Sequence, residues 1–92
     1  MRLLHTVNAQ DLIKGLRIFG YVPTRQTGSH IRLTTLQNNQ HHITIPNHDP
    51  IRIGTLNAIL QEIASHFRLS KEEVADNVIQ ILFNGVLKLK DK

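Results

Sequence analysis

The spacing of apolar residues changes twice along this chain, and each change marks an element. Leu12, Ile13, Leu16 and Phe19 recur at helical spacing and form one stripe, with Lys14 and Arg17 off it. Asn8 stands where a helix cap belongs, and Asp11 three residues on completes a box-like start. Gly20 is placed to end the helix in the left-handed conformation. The spacing therefore predicts a helix over residues 9–19.

The period then falls to two. Residues 21–26 are bounded by Gly20 and Gly28, and Pro23 cannot donate to a ladder, so this strand is expected at an edge. Gly28-Ser29 predicts a tight turn. From His30 the alternation is clean: Ile31, Leu33 and Thr35 face one way, and His30, Arg32 and Thr34 the other. The apolar set must meet the helices, which leaves His30 and Arg32 together on the open face of a sheet. Asn38-Asn39 suits a hairpin turn because Asn tolerates positive φ. Residues 41–47 form the next strand, with Ile43 and Ile45 inward and His42, Thr44 and Pro46 outward.

After a polar loop at residues 47–50 the period lengthens again. Ile53, Leu56, Ile59, Leu60, Ile63 and Phe67 form the stripe of a second helix over 53–67, and His66 and Arg68 close it, suiting its negative end. Ser70 with Glu73 is a capping box that starts a third helix at Lys71. Val74, Val78, Ile81 and Leu82 are its expected buried face, and Asn84-Gly85 its expected stop, giving a helix over about 71–83. Residues 86–92 are left as a frayed tail or a short strand. The order α-β-β-β-α with an extra C-terminal helix predicts an α+β two-layer domain.

Composition narrows the function classes. The 92 residues make one domain, 1–92, with a small core. The absence of cysteine removes disulfides and thiolate metal sites and fits a cytoplasmic protein. No apolar run reaches the roughly 18–20 residues needed to cross a bilayer, and residues 1–5 lack the apolar core of a signal peptide. A net charge of +4 suggests a polyanionic partner, either a nucleic acid or an acidic protein. Tyr21 is the only tyrosine and there is no tryptophan, so an aromatic base-stacking platform is not expected.

Candidate chemistry centres on His30. An imidazole titrates near neutral pH and can take or give a proton at a ribose 2′-hydroxyl or a leaving oxygen. Arg32 beside it, and Arg25 across the turn, can hold phosphate oxygens. Gly28 lets backbone approach a ligand closely, so the N–H groups around it, that of Ser29 included, can reach a phosphate. Lys14 and His42 are further candidate RNA contacts. By spacing alone, a plain solvent-exposed strand histidine is the favoured reading of His30. His30, His42 and His48 could converge on a metal, but no carboxylate cluster joins them, so no metal or other cofactor is expected.

Five segments carry a resemblance: Asp11-Leu12-Ile13-Lys14, Gly20-Tyr21, Arg25-Gln26-Thr27-Gly28-Ser29-His30, Ile43-Thr44-Ile45-Pro46-Asn47-His48 and Gly54-Thr55-Leu56-Asn57-Ala58-Ile59-Leu60. In this order and at these intervals, over residues 8–66, the chain resembles the HicA toxins of type II toxin–antitoxin systems. The resemblance implies a double-stranded-RNA-binding-like fold and a ribosome-independent mRNA endonuclease blocked by a HicB antitoxin. It also implies that the histidine of Gly-Ser-His, here His30, is catalytic. The chain departs from the family in carrying Ile31 where a second histidine is common and Ile53 where proline is common. A non-catalytic RNA-binding module of the same fold is the alternative.

Overall fold

In the computed structural model, which describes the backbone of residues 7–90 and the side chains of 7–82, three strands form one antiparallel sheet backed by helices. Helix α1 spans Ala9–Gly15; strands β1, β2 and β3 span Val22–Thr27, His30–Thr35 and His41–Pro46; helices α2 and α3 span Ile53–Phe67 and Lys71–Lys90. The sheet order is β1-β2-β3, so the proline-bearing strand is an edge, as expected. This is the α+β, α-β-β-β-α arrangement with the added C-terminal helix.

Local chemistry accounts for most boundaries. The Asp11 N–H donates to Asn8 Oδ1 at 2.8 Å, which caps α1. The expected helix over 9–19 tightens in its last turn to a 3₁₀ segment, Leu16–Phe19, before Gly20 ends it at φ 81°. Asn38 and Asn39 both adopt positive φ in the β2–β3 hairpin. The capping box of α3 is reciprocal: the Ser70 N–H donates to Glu73 Oε1 at 2.9 Å, and the Glu73 N–H donates to Ser70 Oγ at 3.0 Å.

Two expectations fail. Asn84-Gly85 does not stop α3, which continues to Lys90. One glycine costs a helix about 1 kcal/mol, and the strong helix formers Leu82, Leu87, Lys88, Leu89 and Lys90 around it outweigh that. Residues 86–90 are thus helical rather than strand or frayed tail, and 91–92 lie outside the described residues. Ile53, assigned to the α2 stripe, is exposed. Ile51, just before the helix, fills the core there instead, with its N–H donating to the Val7 carbonyl at 2.9 Å.

The core lies between the helices and the back of β2 and β3. Leu12, Leu16, Leu33, Ile45, Leu56, Leu60, Ile63, Val74 and Val78 are fully buried, and Ile81 and Leu82 are half-buried. A polar cluster ties the hairpin to the end of α2. His66 Nε2 donates to the carbonyls of Gln37 (3.0 Å) and Asn39 (3.1 Å), and Asn38 Nδ2 donates to the His66 carbonyl at 2.7 Å. The His66 ring stacks on His41 at 4.3 Å, and the buried Tyr21 hydroxyl donates to His41 Nδ1 at 2.7 Å. Burial, and then the neighbouring His66 ring, hold His41 below its ordinary 6.5, with Glu62 at 3.9 Å opposing them.

Two predictions follow from this packing. Because the folded state takes up the His41 proton less readily than the unfolded chain, this contribution to stability is complete above 6.5 and is lost as pH falls through the lowered folded value. Urea unfolding at a series of pH values should show stability declining as pH falls from 6.5 toward that lowered value, with a shallower decline in His41→Gln. Alanine at Gly20 would place Cβ 2.6 Å from Thr35 Oγ1, which is held by a 2.6 Å bond to the Phe19 carbonyl, whereas a Cβ at Gly28 meets nothing within 4 Å. Gly28→Ala should therefore cost only the about 1–2 kcal/mol of a left-handed alanine, and Gly20→Ala clearly more, as read by urea midpoints.

Candidate active site

Burial of Ile31 and Leu33 fixes the orientation of β2 and turns His30 and Arg32 onto the side of the sheet away from the helices. The neighbouring strands complete a patch around them. On β3, Thr44 stands opposite Arg32, and Pro46 opposite His30. On β1 the register changes partway. Val22 pairs with Thr34 and Pro23 with Leu33, but Arg25 pairs with Arg32 and Thr27 with His30, leaving Thr24 as an extra residue. Had the first register continued, Arg25 would stand beside Ile31 on the core side. The bulge re-aims Arg25 and Thr27 onto the face that carries His30.

The result is a shallow cavity of about 190 Å³ lined by Arg25, Thr27, His30, Arg32 and Thr44. His30 is exposed at its edge. The preceding turn is braced from two sides: the Asn47 N–H donates to the Ser29 carbonyl at 2.6 Å, and Gln26 Nε2 donates to the Gly28 carbonyl at 3.3 Å. Gly28 itself sits at φ 59° with open space above it, which leaves the turn accessible to a ligand.

The electrostatics of the cavity are unbalanced. Two guanidinium side chains lie directly opposite one another on adjacent strands, an arrangement that like charges disfavour. Among the described residues neither has a carboxylate partner; the histidine–carboxylate approach found there, His41 to Glu62 at 3.9 Å, lies elsewhere on the molecule. The Arg32 Nε is buried without a hydrogen-bond acceptor, a cost that an incoming oxygen would remove. An anion with several oxygens, placed between the two arginines and the hydroxyls of Thr27 and Thr44, meets these needs together.

The structure thus brings Arg25, Arg32, His30 and the Gly28-Ser29 turn to one place. It does not bring His42 or Lys14 there. His42 lies opposite Thr34, four residues along β2 from His30, about 13 Å at the usual rise per residue. Its Nδ1 is 2.8 Å from Thr34 Oγ1, which in turn lies 2.7 Å from Thr24 Oγ1, so the three form a hydrogen-bonded row across the face. Lys14 is exposed on α1, in the helical layer on the other side of the sheet. The same separation keeps His30 and His42 from sharing an ion, and among the described residues no three metal-ligating side chains cluster. Sequence reasoning missed Thr27 and Thr44. Thr44 was legible from its alternation with His42; Thr27 was not, because the bulge decides its face.

Residues 9–64, more than half of the chain, match the protein family described as HicA toxin of bacterial toxin-antitoxin. Comparison with curated proteins and with solved structures finds no match. Among the described residues no helix is long and apolar enough to cross a membrane. The segments matched contain α1, the whole sheet with its arginine-flanked histidine, and most of α2, and on that match the chain belongs to the HicA toxin family, the toxin side of a toxin–antitoxin pair.

Proposed function

We propose that this toxin is an endoribonuclease that cuts mRNA by acid–base chemistry at His30, without a metal or other cofactor. The observation that carries the reading is the pair of cross-strand arginines, Arg25 and Arg32, set beside an exposed histidine without acidic partners among the described residues. A phosphodiester in the cavity would take its charge balance from the two guanidiniums and hydrogen bonds from Thr27, Thr44 and the N–H groups of the turn, Ser29 among them. His30 then removes the proton from the ribose 2′-hydroxyl, or supplies one to the departing 5′-oxygen. The 2′-oxygen bonds to phosphorus as the phosphorus–5′-oxygen bond breaks, leaving a 2′,3′-cyclic phosphate and a 5′-hydroxyl. The remaining proton exchanges with water.

Lys14 and His42 lie away from this point and would touch the RNA outside the scissile link. A HicB-like antitoxin would neutralise the protein by covering the same face, where its acidic side chains could pair with Arg25 and Arg32. Both activities place the protein in the cytoplasm with its mRNA.

Purified His30→Ala is expected to lose at least about 100-fold in RNA cleavage, the low end for a positioned acid–base group, while keeping its fold and most of its RNA affinity. Persistent cleavage by that variant would remove His30 from the role. Cleavage by neither protein, with RNA binding intact in both, would instead favour the non-catalytic RNA-binding module. Binding should also weaken steeply with salt, and Arg25→Ala and Arg32→Ala should each flatten the plot of log affinity against log salt by about 0.7, the value for one phosphate contact on a single strand.

A further inference from the structure

We infer that a second cavity on the open sheet face, walled by Val22 and Leu36 and edged by Gln37, is a nucleobase subsite holding one base of the RNA whose phosphate lies at Arg25 and Arg32. The inference rests on the reading of the His30 site given above and deepens it. The cavity has a volume of about 570 Å³, inside the range of about 300–1,000 Å³ usual for small-molecule sites. Its remaining lining is Gly20, Thr24 and Thr34.

Its walls are apolar for no reason that the fold supplies. Val22 is 48% exposed and Leu36 78% exposed, so neither belongs to the core, yet both line this one hollow. The rim is polar and held in place. The hydroxyls of Thr24 and Thr34 are fixed by their mutual bond and by His42. Gln37 is anchored through its backbone: its N–H donates to Thr35 Oγ1 at 3.0 Å and its carbonyl accepts from His66 at 3.0 Å. Its side chain lies over Gly20, where any Cβ would come within 2.8 Å of Nε2, so the bare glycine makes the room. The carboxamide offers a donor beside an acceptor, the pattern that pairs with a base edge.

Position selects the ligand class. Thr34 follows Arg32 by two residues on the same face of β2, about 7 Å away, and Thr24 adjoins Arg25. The apolar hollow therefore abuts the cationic one within the reach of a single nucleotide. A nucleotide carries both a flat, weakly polar ring and an anionic link, and these two cavities present the matching surfaces side by side. Tyr21 is fully buried and unavailable for stacking, so the aliphatic wall of Val22 and Leu36 takes the base face instead.

The test is an abasic scan. A short oligoribonucleotide with one cleaved bond is remade with the base removed at each position in turn and the sugar–phosphate backbone intact, and kcat/KM is measured for wild type, Leu36→Ser and Gln37→Ala. Circular dichroism checks folding, which the exposed positions of both residues should leave unchanged. One position, at a fixed offset from the cleaved bond, should lose about tenfold in wild type, the size of an ordinary base contact. Each variant should lose a similar amount on the intact oligonucleotide and almost nothing more when that base is absent. The subsite is overturned, with the His30 reading untouched, if cleavage proceeds and no position is base-sensitive, or if the variants lose equally on intact and abasic RNA. It is also overturned if Leu36→Ser cleaves normally but escapes inhibition by an antitoxin, which would assign the hollow to a protein side chain. Absence of any RNA cleavage or binding by wild type would sink both readings together.

Discussion

Burial of Ile31, Leu33 and Thr35 decides which side of β2 meets the helices, and so which side is left for His30, Arg32 and Thr34. A slip of one residue would exchange the two sets and press the Arg32 guanidinium into the core, at a desolvation cost of several kcal/mol. The register of the central strand is therefore strongly specified, although the residues it presents for chemistry contribute little to it. The neighbouring edge strand is less constrained, being exposed along its whole length. That freedom is what lets β1 accommodate an extra residue at Thr24 and bring Arg25 and Thr27 around to face Arg32 and His30.

The face so assembled works against stability. It opposes two arginines across a strand pair and buries the Arg32 Nε without an acceptor. Compensation comes from elsewhere. Asn8 caps α1, Ser70 and Glu73 cap α3 reciprocally, and His66 with Asn38 fastens the hairpin to the end of α2. These contacts hold the sheet from behind and from its far end, leaving the front free. Cations that have no carboxylate partner among the described residues, on a face already assembled, suit a polyanion, since little would have to move on binding.

Features set by neighbours in sequence were legible before any coordinates. The alternation from His30 to Thr35, the caps at Asn8 and Ser70, the left-handed Gly20 and the Asn38-Asn39 turn each depend on a few adjacent residues, and each is present. Features set by distant contacts were not. Nothing in Val22–Thr27 announces a bulge, because the register change arises only when β1 pairs with β2. Ile53 fits a helical stripe but yields its place to Ile51, which reaches the core from the preceding loop. Gly85 looks like a stop until the helix formers on both sides are weighed against it. His42 belonged with His30 by residue type and open face, yet the length of β2 keeps them at opposite ends.

The proposed chemistry is proton transfer at a ribose by the exposed imidazole of β2, with phosphate held between two strands' arginines. Identification of the termini on RNA fragments made by the purified protein in the presence of a metal chelator addresses this most directly. A 2′,3′-cyclic phosphate on one fragment and a 5′-hydroxyl on the other is the predicted result. Fragments ending in a 3′-hydroxyl and a 5′-phosphate, formed only when a divalent ion is restored, would contradict it.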